Sequence, residues 1–187
     1  MITFVATAYK ENIEINVFLY SLLLQDNNKW KCIICCDGKN QYIQNKVLEI
    51  NDSRIKIHIE NNPTGFWGHK NRKFALENLV DTEFVIQTSV QDYYCPITVS
   101  SILNFSDKFD FIYFNSIHNH HNYDILNSQI KTTFIDWGSF AVRTEIAKKV
   151  GIHDTENEVC DGIFAERCGV YQNVRKIKID KVFTVHN

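Results

Sequence analysis

The sequence predicts an α/β domain with a mostly parallel central sheet and helices on both faces. Through the first half of the chain, short apolar runs alternate with amphipathic stretches, which is the pattern of parallel strands joined by crossover helices. Hydrophobic residues make up 44% and charged residues 22% of the chain, a composition typical of globular domains. A length of 187 residues lies within the range of one domain, so residues 1–187 are predicted to form a single domain.

The first half of the chain is predicted to form a βαβαβ unit. Residues 2–7 are an apolar run of the kind found in buried strands. After them, Phe18, Leu19 and Leu22 recur at helical spacing, and a polar run at residues 25–28 ends that pattern. The predicted strands are residues 2–7, 31–36 and 55–59, and the predicted helices are residues 12–24 and 41–50.

The periodicity weakens toward the second half, which is predicted to be α+β-like. A loop containing Gly and Pro, residues 61–68, precedes a helix, and Pro96 stands where the first turn of a short helix would start. Residues 115–122 are polar and are predicted to form a loop, whereas residues 132–142 look extended. The other predicted strands are residues 84–88 and 109–114, and the other predicted helices are residues 70–79, 96–103, 145–150 and 161–168.

Charge and cysteine content exclude several classes of protein. Lys and Arg are dispersed and the net charge is −2, so nucleic acid is not an expected partner. The six cysteines show no repeating spacing, and Cys32, Cys35 and Cys36 lie in an apolar run, where cysteine usually packs as a small hydrophobe. No apolar stretch approaches the about 20 residues of a membrane helix, and the start of the chain lacks a basic signal region. We therefore expect a cytoplasmic protein with no membrane span.

Residues that follow the predicted strands are the first candidates for a site, because ligands of open α/β sheets bind at the carboxyl ends of the strands. Thr7-Ala8-Tyr9 follows the first strand, Asp37-Gly38 the second, and residues 89–96 the fourth. Neither the dinucleotide motif G-x-G-x-x-G nor the P-loop motif G-x-x-x-x-G-K-[ST] is present. Phosphate groups of a ligand would have to be held in another way.

An ordered set of fragments spans nearly the whole chain and resembles the nucleotide-sugar glycosyltransferases of the GT-A fold, in particular the inverting group called family 2. The resemblance implies a GT-A type, Rossmann-like sandwich. It also implies a nucleotide-sugar-binding half in residues 1–95 and an acceptor-binding half in residues 96–187. The fragments are ITFVATAY at 2–9, CDG at 36–38, GFWGHKNR at 65–72, QDYYCP at 91–96, IDWGSF at 135–140, DGIFAE at 161–166 and VHN at 185–187.

The same resemblance implies donor-binding roles at the first two strand ends. Asp37 would accept a hydrogen bond from the base of the nucleotide. Thr7 and Tyr9, with Ala8 between them, would flank the base and the ribose. A turn before Gly38 is the alternative role for Asp37.

Asp92 takes the place of the last acid of the family's D-x-D motif, whose carboxylates hold Mg²⁺ or Mn²⁺ against the diphosphate. Ser89 and Gln91 stand where the motif has further acids, so this motif is degenerate here. Gln91 is assigned to the donor site and not to the metal site. By resemblance, Asp92, the diphosphate and His186 would hold a divalent ion. Transfer without a metal remains open, as does a capping or turn role for Asp92.

His69 and Arg72 lie three residues apart at the start of a predicted helix, and hence on one face. The helix dipole and the side-chain charges would both favour phosphate at this position, which could replace the missing phosphate-binding loop. The alternative is a solvated helix start with Trp67 packed beneath it.

Asp161 resembles the general base of the family, the carboxylate that takes the proton of the acceptor hydroxyl. An N-cap before the apolar run that follows is its alternative role. Asp136 is the second candidate for the base. Trp137 and Gly138 resemble the acceptor side of the family site, where the indole would offer an apolar face to a sugar; a strand-end turn with a core tryptophan is the alternative.

Three histidines, His118, His120 and His121, suggest a metal site because imidazole is a common ligand. They lie in an Asn-rich segment with no acid or thiol at ligand spacing. The sequence therefore favours a solvated loop over a metal site at these histidines.

The resemblance implies transfer of a sugar from a nucleoside diphosphate, with UDP preferred, to a hydroxyl acceptor by single displacement with inversion. The expected partners are a nucleotide-sugar donor and a glycan or other hydroxyl acceptor, and a homodimer is allowed. Two rival functions remain. A nucleotidyltransferase would carry a Gly- and Arg-rich loop after the first strand, which is absent here. A binding module without catalysis is favoured by the degenerate acidic motif.

Overall fold

The computed structural model describes residues 1–9 and 13–187, apart from the side chain of His121. The start of the first predicted helix, at Asn12, lies outside the described residues. The strands are β1 Ile2–Ala8, β2 Trp30–Asp37, β3 Ile55–Glu60, β4 Phe84–Ser89, β5 Asp92–Tyr94, β6 Phe111–His118, β7 Ile125–Leu126, β8 Phe140–Arg143 and β9 Lys176–His186. The helices are α1 Ile15–Leu23, α2 Gln41–Ile50, α3 His69–Asn78, α4 Thr98–Leu103, α5 Thr144–Val150 and α6 Cys160–Gly169, with 3-10 turns at Phe66–Gly68, Asn119–His121 and Trp137–Ser139.

Across the described residues, the strands form one nine-stranded sheet in the order β3-β2-β1-β4-β8-β6-β9-β5, and β7 pairs with β6. The neighbours β3, β2, β1 and β4 are parallel to each other. β8 is antiparallel to both β4 and β6, and β9 is parallel to β6. β1, β2, β3, β4, β6 and β9 therefore run in one direction, which confirms the predicted mostly parallel sheet.

Two hydrophobic cores cover the two faces of the sheet. In β2, Cys32, Ile34 and Cys36 face one core and Ile33 and Cys35 the other, because successive side chains of a strand point to opposite faces. Helices α1, α2 and α4 pack on the first face, and helices α3, α5 and α6 pack on the second. The predicted layers of helix, sheet and helix are present, and they leave the carboxyl ends of β1, β2, β4, β6 and β9 at one edge.

The second half differs from the sequence prediction at its strands. The predicted loop 115–122 is wrong at its start, because β6 continues to His118. The polar Asn115 is buried in this strand: its side-chain Nδ2 donates to Asp180 Oδ1 at 3.0 Å, and its side-chain Oδ1 accepts the Ser128 N–H at 3.1 Å. Within residues 132–142, a 3-10 turn precedes β8, so the extended prediction is wrong for most of that range.

The sequence analysis did not predict strands β5 and β9. These two strands position the last residues of the chain at the carboxyl edge of the sheet. Alternation of Lys and Ile at the start of β9 was a detectable period-2 signal. An irregularity in the β6–β9 register near Asn115 interrupts that signal further along. β5 pairs with the end of β9 so that Asp92 lies opposite His186.

Among the described residues, no helix combines the length and the apolar character that crossing a membrane requires.

Asp110 joins three strands at the far end of β6. Its carboxylate accepts hydrogen bonds from Arg143 Nε at 2.7 Å and from Arg175 Nη2 at 2.9 Å. Its second oxygen accepts the Arg175 N–H at 3.0 Å. The side-chain bond from Arg175 is the main reason that the pKa of Asp110 lies well below its usual range, and the opposing effect of burial is smaller.

We expect Asp110→Asn to lower the free energy of unfolding at pH 7 by about 2 kcal/mol, because it removes the charge from several hydrogen bonds. A depressed pKa contributes stability above the unfolded value of about 3.9, and this contribution disappears as the pH falls toward the folded value. Urea unfolding should therefore show the two proteins converging below about pH 4. Asp81→Asn, at an exposed pair with Lys31, should change little. A difference that does not vary with pH would contradict this explanation.

Candidate active site

A cavity of about 730 Å³ lies at the carboxyl edge of the sheet. Asp37, Asp92 and Asp161, which are far apart in sequence, all line it, as the family resemblance requires. Gly138 is the single predicted site residue that is absent from its lining. The predicted residues that line it are Thr7, Ala8, Tyr9, Asp37, His69, Arg72, Gln91, Asp92, Asp136, Trp137, Asp161 and His186.

The Asp37 carboxylate holds the loop that follows β3. One oxygen accepts the Thr64 N–H at 2.8 Å and the Asn71 amide at 3.0 Å, and the other accepts the Gly65 N–H at 2.9 Å. Burial raises the pKa of Asp37, but these hydrogen bonds together outweigh burial and lower it. Asp37 thus has a structural role beyond the turn that the sequence suggested, and it also lines the cavity.

The loop that Asp37 holds contains four consecutive residues with positive φ: 67° at Gly65, 48° at Phe66, 51° at Trp67 and 74° at Gly68. For a residue with a side chain this conformation costs about 1–2 kcal/mol. A Cβ at position 68 would lie 2.8 Å from Thr7 Cβ, so only glycine fits there. Backbone strain of this kind concentrates at functional sites.

Trp67 is 62% exposed and lines the cavity. The alternative in which this indole packs beneath the helix start is therefore wrong. The backbone of Trp67 is left-handed, with a φ of 51°. Arg72 Nη1 holds the backbone of this residue by donating to its carbonyl oxygen at 2.6 Å.

Arg72 is a buried positive charge among the acids of the cavity. Its second terminal nitrogen donates to Thr88 O at 2.8 Å, and the side chain is 4% exposed. Burial lowers the pKa of Arg72, while the charges of Asp92, Asp136 and Asp161 act in the opposite direction. Arg72 is thus a fixed counter-charge for these carboxylates.

His69, the first residue of α3, is 2% exposed. Burial and, to a smaller extent, the Arg72 charge lower the pKa of His69 to about 4. The imidazole is therefore neutral at pH 7 in this structure, and the predicted contact of His69 with phosphate stays a prediction.

Asp92 is 1% exposed and bound on both oxygens. Oδ1 lies 2.6 Å from His186 Nδ1, and Oδ2 accepts the Ser89 N–H at 2.9 Å and the Thr88 hydroxyl. Burial disfavours the His186 cation, but the hydrogen bond and charge of Asp92 more than offset burial, so the pKa of His186 is raised. Asp92 lies on β5, so the helix-capping alternative is wrong.

Asp161 and Asp136 form the acidic pair of the cavity. Asp161 lies within the first turn of α6, whose N-cap is Val159, so the N-cap alternative for Asp161 is wrong. One Asp161 oxygen accepts the Gly162 N–H at 2.7 Å. Burial and, next to it, the charge of Asp136 raise the pKa of Asp161 to about 7. A carboxylate with this pKa has the basicity expected of a general base near neutral pH.

His118 is not a solvated loop residue, contrary to the sequence prediction. Its side chain is 12% exposed at the end of β6, and its ring stacks on His186 with centroids 4.4 Å apart. His118 Nε2 lies 3.9 Å from Asp136 Oδ2. His118, Asp136 and His186 can each offer a ligand atom, and these atoms lie within 4.8 Å of one another. The group contains His186 of the predicted metal pair but not Asp92.

His120, by contrast, is exposed, as predicted, although it lines the cavity. The side chain of His121 lies outside the described residues.

Trp137 and Gly138 lie mainly inside the protein. Trp137 is 5% exposed and packs in the core against Phe164, with ring centroids 5.3 Å apart, so little of its indole reaches the cavity. A Cβ on Gly138 would lie 3.0 Å from Asp92 Oδ2. Gly138 therefore allows the Asp92 carboxylate to approach the backbone. Its predicted contact with the acceptor stays a prediction.

No family model and no curated protein sequence matches the chain, whereas solved structures match its fold. TarS of S. aureus has a TM-score of 0.84 at 21% identity, covering 100% of this chain and 36% of TarS. TarS 1–349 in complex with UDP-GlcNAc has a TM-score of 0.79 at 18% identity, covering 98% of this chain and 57% of that one. GalNAc-T7 with UDP, GalNAc and Mn²⁺ has a TM-score of 0.71 at 11% identity, covering 99% and 43%. The chain thus spans 57% or less of these three structures.

Proposed function

Because this chain has the GT-A fold, we propose that it is a glycosyltransferase that moves a sugar from a nucleoside diphosphate, preferably UDP, to a hydroxyl acceptor. One observation carries the proposal: Asp37, Asp92 and Asp161 converge on one cavity of about 730 Å³. That volume suits a ligand the size of a nucleotide sugar. Structures similar in fold contain UDP or UDP-GlcNAc, which supports the choice of nucleotide.

The donor site is proposed to lie at the ends of β1, β2 and β4. Thr7, Ala8 and Tyr9 would flank the base and ribose, and exposed Tyr9 and Trp67 offer aromatic faces to a planar base or to a sugar. The Asp37 carboxylate would contact the base at the edge of the loop that it holds. Residues 1–95 supply these groups, and residues 96–187 supply Asp136, Asp161 and His186.

Asp161 is the proposed base. It would take the proton of the acceptor hydroxyl while the hydroxyl oxygen attacks the anomeric carbon. The bond from that carbon to the diphosphate oxygen breaks in the same displacement, and its electron pair leaves with the diphosphate. Attack from the opposite face inverts the anomeric configuration.

The departing diphosphate needs positive charge. Arg72 supplies a preorganised one, although its terminal nitrogens are committed to the carbonyl oxygens of Trp67 and Thr88. A divalent cation, when bound, would polarise the phosphoryl oxygens and neutralise the leaving group. The presence of Mn²⁺ in the GalNAc-T7 structure supports such a cation.

Donor binding and donor cleavage test this proposal separately. A UDP-sugar at 100 times its Kd should stabilise the native state by about 2.7 kcal/mol and so raise the Tm. Slow release of UDP from the same sugar in the presence of Mn²⁺ should follow. CDP- and GDP-sugars serve as matched controls for the base. Binding of the donor without release of UDP would identify a binding module, a function favoured by the non-acidic residues Ser89 and Gln91. No Tm shift with any nucleotide would contradict the proposal.

A further inference from the structure

The carboxylates lining the cavity outnumber its positive charges. Among the described lining residues, Asp37, Asp92, Asp136, Glu158 and Asp161 are acidic, and Arg72 is the one Lys or Arg side chain. A diphosphate adds further negative charge. The cavity therefore requires a cation if an anionic ligand is to enter it.

We infer that His118, Asp136 and His186 form a binding site for a first-row transition-metal ion such as Mn²⁺, in place of the degenerate acidic motif. Their ligand atoms lie within 4.8 Å of one another. The three side chains are 12%, 19% and 18% exposed, so each is shielded yet reachable from the cavity. They come from the ends of β6 and β9 and from the turn before β8, which the sheet brings together.

Asp92 supports this site from behind. Its carboxylate lies 2.6 Å from His186 Nδ1, so the other ring nitrogen, Nε2, is the one that would bind a metal. A carboxylate behind a histidine ligand is a common arrangement in metal sites, because it fixes the tautomer and orients the ring. Asp92 itself is 1% exposed with both oxygens bound, so it acts here as a positioning residue.

Binding of a metal through Nε2 of His118 changes the contact of its other ring nitrogen. Its Nδ1 accepts the His120 N–H at a long 3.3 Å. A neutral imidazole that gives Nε2 to a metal carries its proton on Nδ1, so this contact must open. A neutral hydrogen bond contributes about 1 kcal/mol, much less than a metal–imidazole ligand provides.

The ligand types indicate which cation fits. Two imidazoles and one carboxylate suit Mn²⁺, Co²⁺ or Zn²⁺, whereas Mg²⁺ prefers oxygen ligands and retains its waters. The remaining coordination positions would accept diphosphate oxygens. This role of the metal rests on the proposed function, whereas binding of the metal by the protein does not depend on it.

Titration of the chelator-treated protein with Co²⁺, followed by visible absorption, tests the site without any sugar donor. We expect one Co²⁺ per chain. His118→Ala, Asp136→Asn and His186→Ala should each raise the Kd at least about tenfold, and Asp92→Asn should raise it about 10- to 100-fold. Mn²⁺ should displace Co²⁺ at far lower concentration than Mg²⁺. His153→Ala, an exposed histidine outside the cavity, is the matched control and should bind as the wild type does.

Unchanged Co²⁺ affinity in folded His118→Ala and Asp136→Asn would overturn the inference, and so would equal competition by Mg²⁺ and Mn²⁺ or an absence of binding. Thermal unfolding checks that each variant folds, and His118→Gln replaces an unfolded alanine variant. If Co²⁺ binds as expected but no donor releases UDP, the metal site is supported and the proposed transferase activity is rejected. UDP release by a chain that binds no Co²⁺ would do the reverse.

Discussion

Asp161→Asn should lower the rate of UDP release by about 10²- to 10⁴-fold while leaving donor binding intact, because the variant loses the general base but not the donor site. Asparagine has nearly the same shape as aspartate, and its carbonyl oxygen can still accept the Gly162 N–H that Asp161 accepts at 2.7 Å. The fold should therefore survive. The measurement is single-turnover release of UDP from a UDP-sugar, with the Tm shift by UDP recorded on the same samples.

Glu158→Gln is the matched control for this variant, since Glu158 is an exposed acid that lines the same cavity. Its rate should stay within about twofold of the wild type, which corresponds to less than 0.5 kcal/mol. A similar loss in both variants would point to the overall charge of the cavity. An unchanged rate in Asp161→Asn would remove Asp161 from the mechanism and leave Asp136 as the candidate base.

Asp37→Asn should destabilise the protein by roughly 2–3 kcal/mol and weaken UDP binding at least about tenfold. The carboxylate accepts hydrogen bonds from Thr64, Gly65 and Asn71, and an amide group cannot accept all of them. Without those bonds, the left-handed backbone of residues 65–68 loses its support, and this loop forms one wall of the cavity. Chemical unfolding and UDP titration measure the two effects.

Asp52→Asn tests the specificity of that result. Asp52 also has a lowered pKa, caused chiefly by a side-chain hydrogen bond from Arg54, but it does not line the cavity. This variant should bind UDP as the wild type does and lose less than about 1 kcal/mol of stability. Retention of both stability and UDP affinity in Asp37→Asn would show that the loop does not depend on Asp37.

Local patterns in the sequence were enough to predict the strand ends. The spacing of apolar residues and the alternation of strands with helices indicate that Thr7, Asp37 and Ser89 lie at one edge of a sheet. Strands joined by crossover helices run in the same direction, so their carboxyl ends meet at that edge. The family resemblance added Asp136, Asp161 and His186, and all three line the cavity. The roles assigned to these side chains stay predictions.

Pairing between distant segments decided the rest. The sequence predicts His118 in a polar loop. In the structure, β6 extends to His118 through its pairing with β9, and the ring of His118 stacks on His186. The pairing of β5 with β9 places Asp92 opposite His186 and buries it, which the sequence did not indicate; whether it binds a metal stays a prediction. The neutral state of His69 likewise depends on burial, and the loop that contains Trp67 is held by Asp37, which lies far away in the chain. Local periodicity contains no information about such contacts, so only the folded sheet could reveal them.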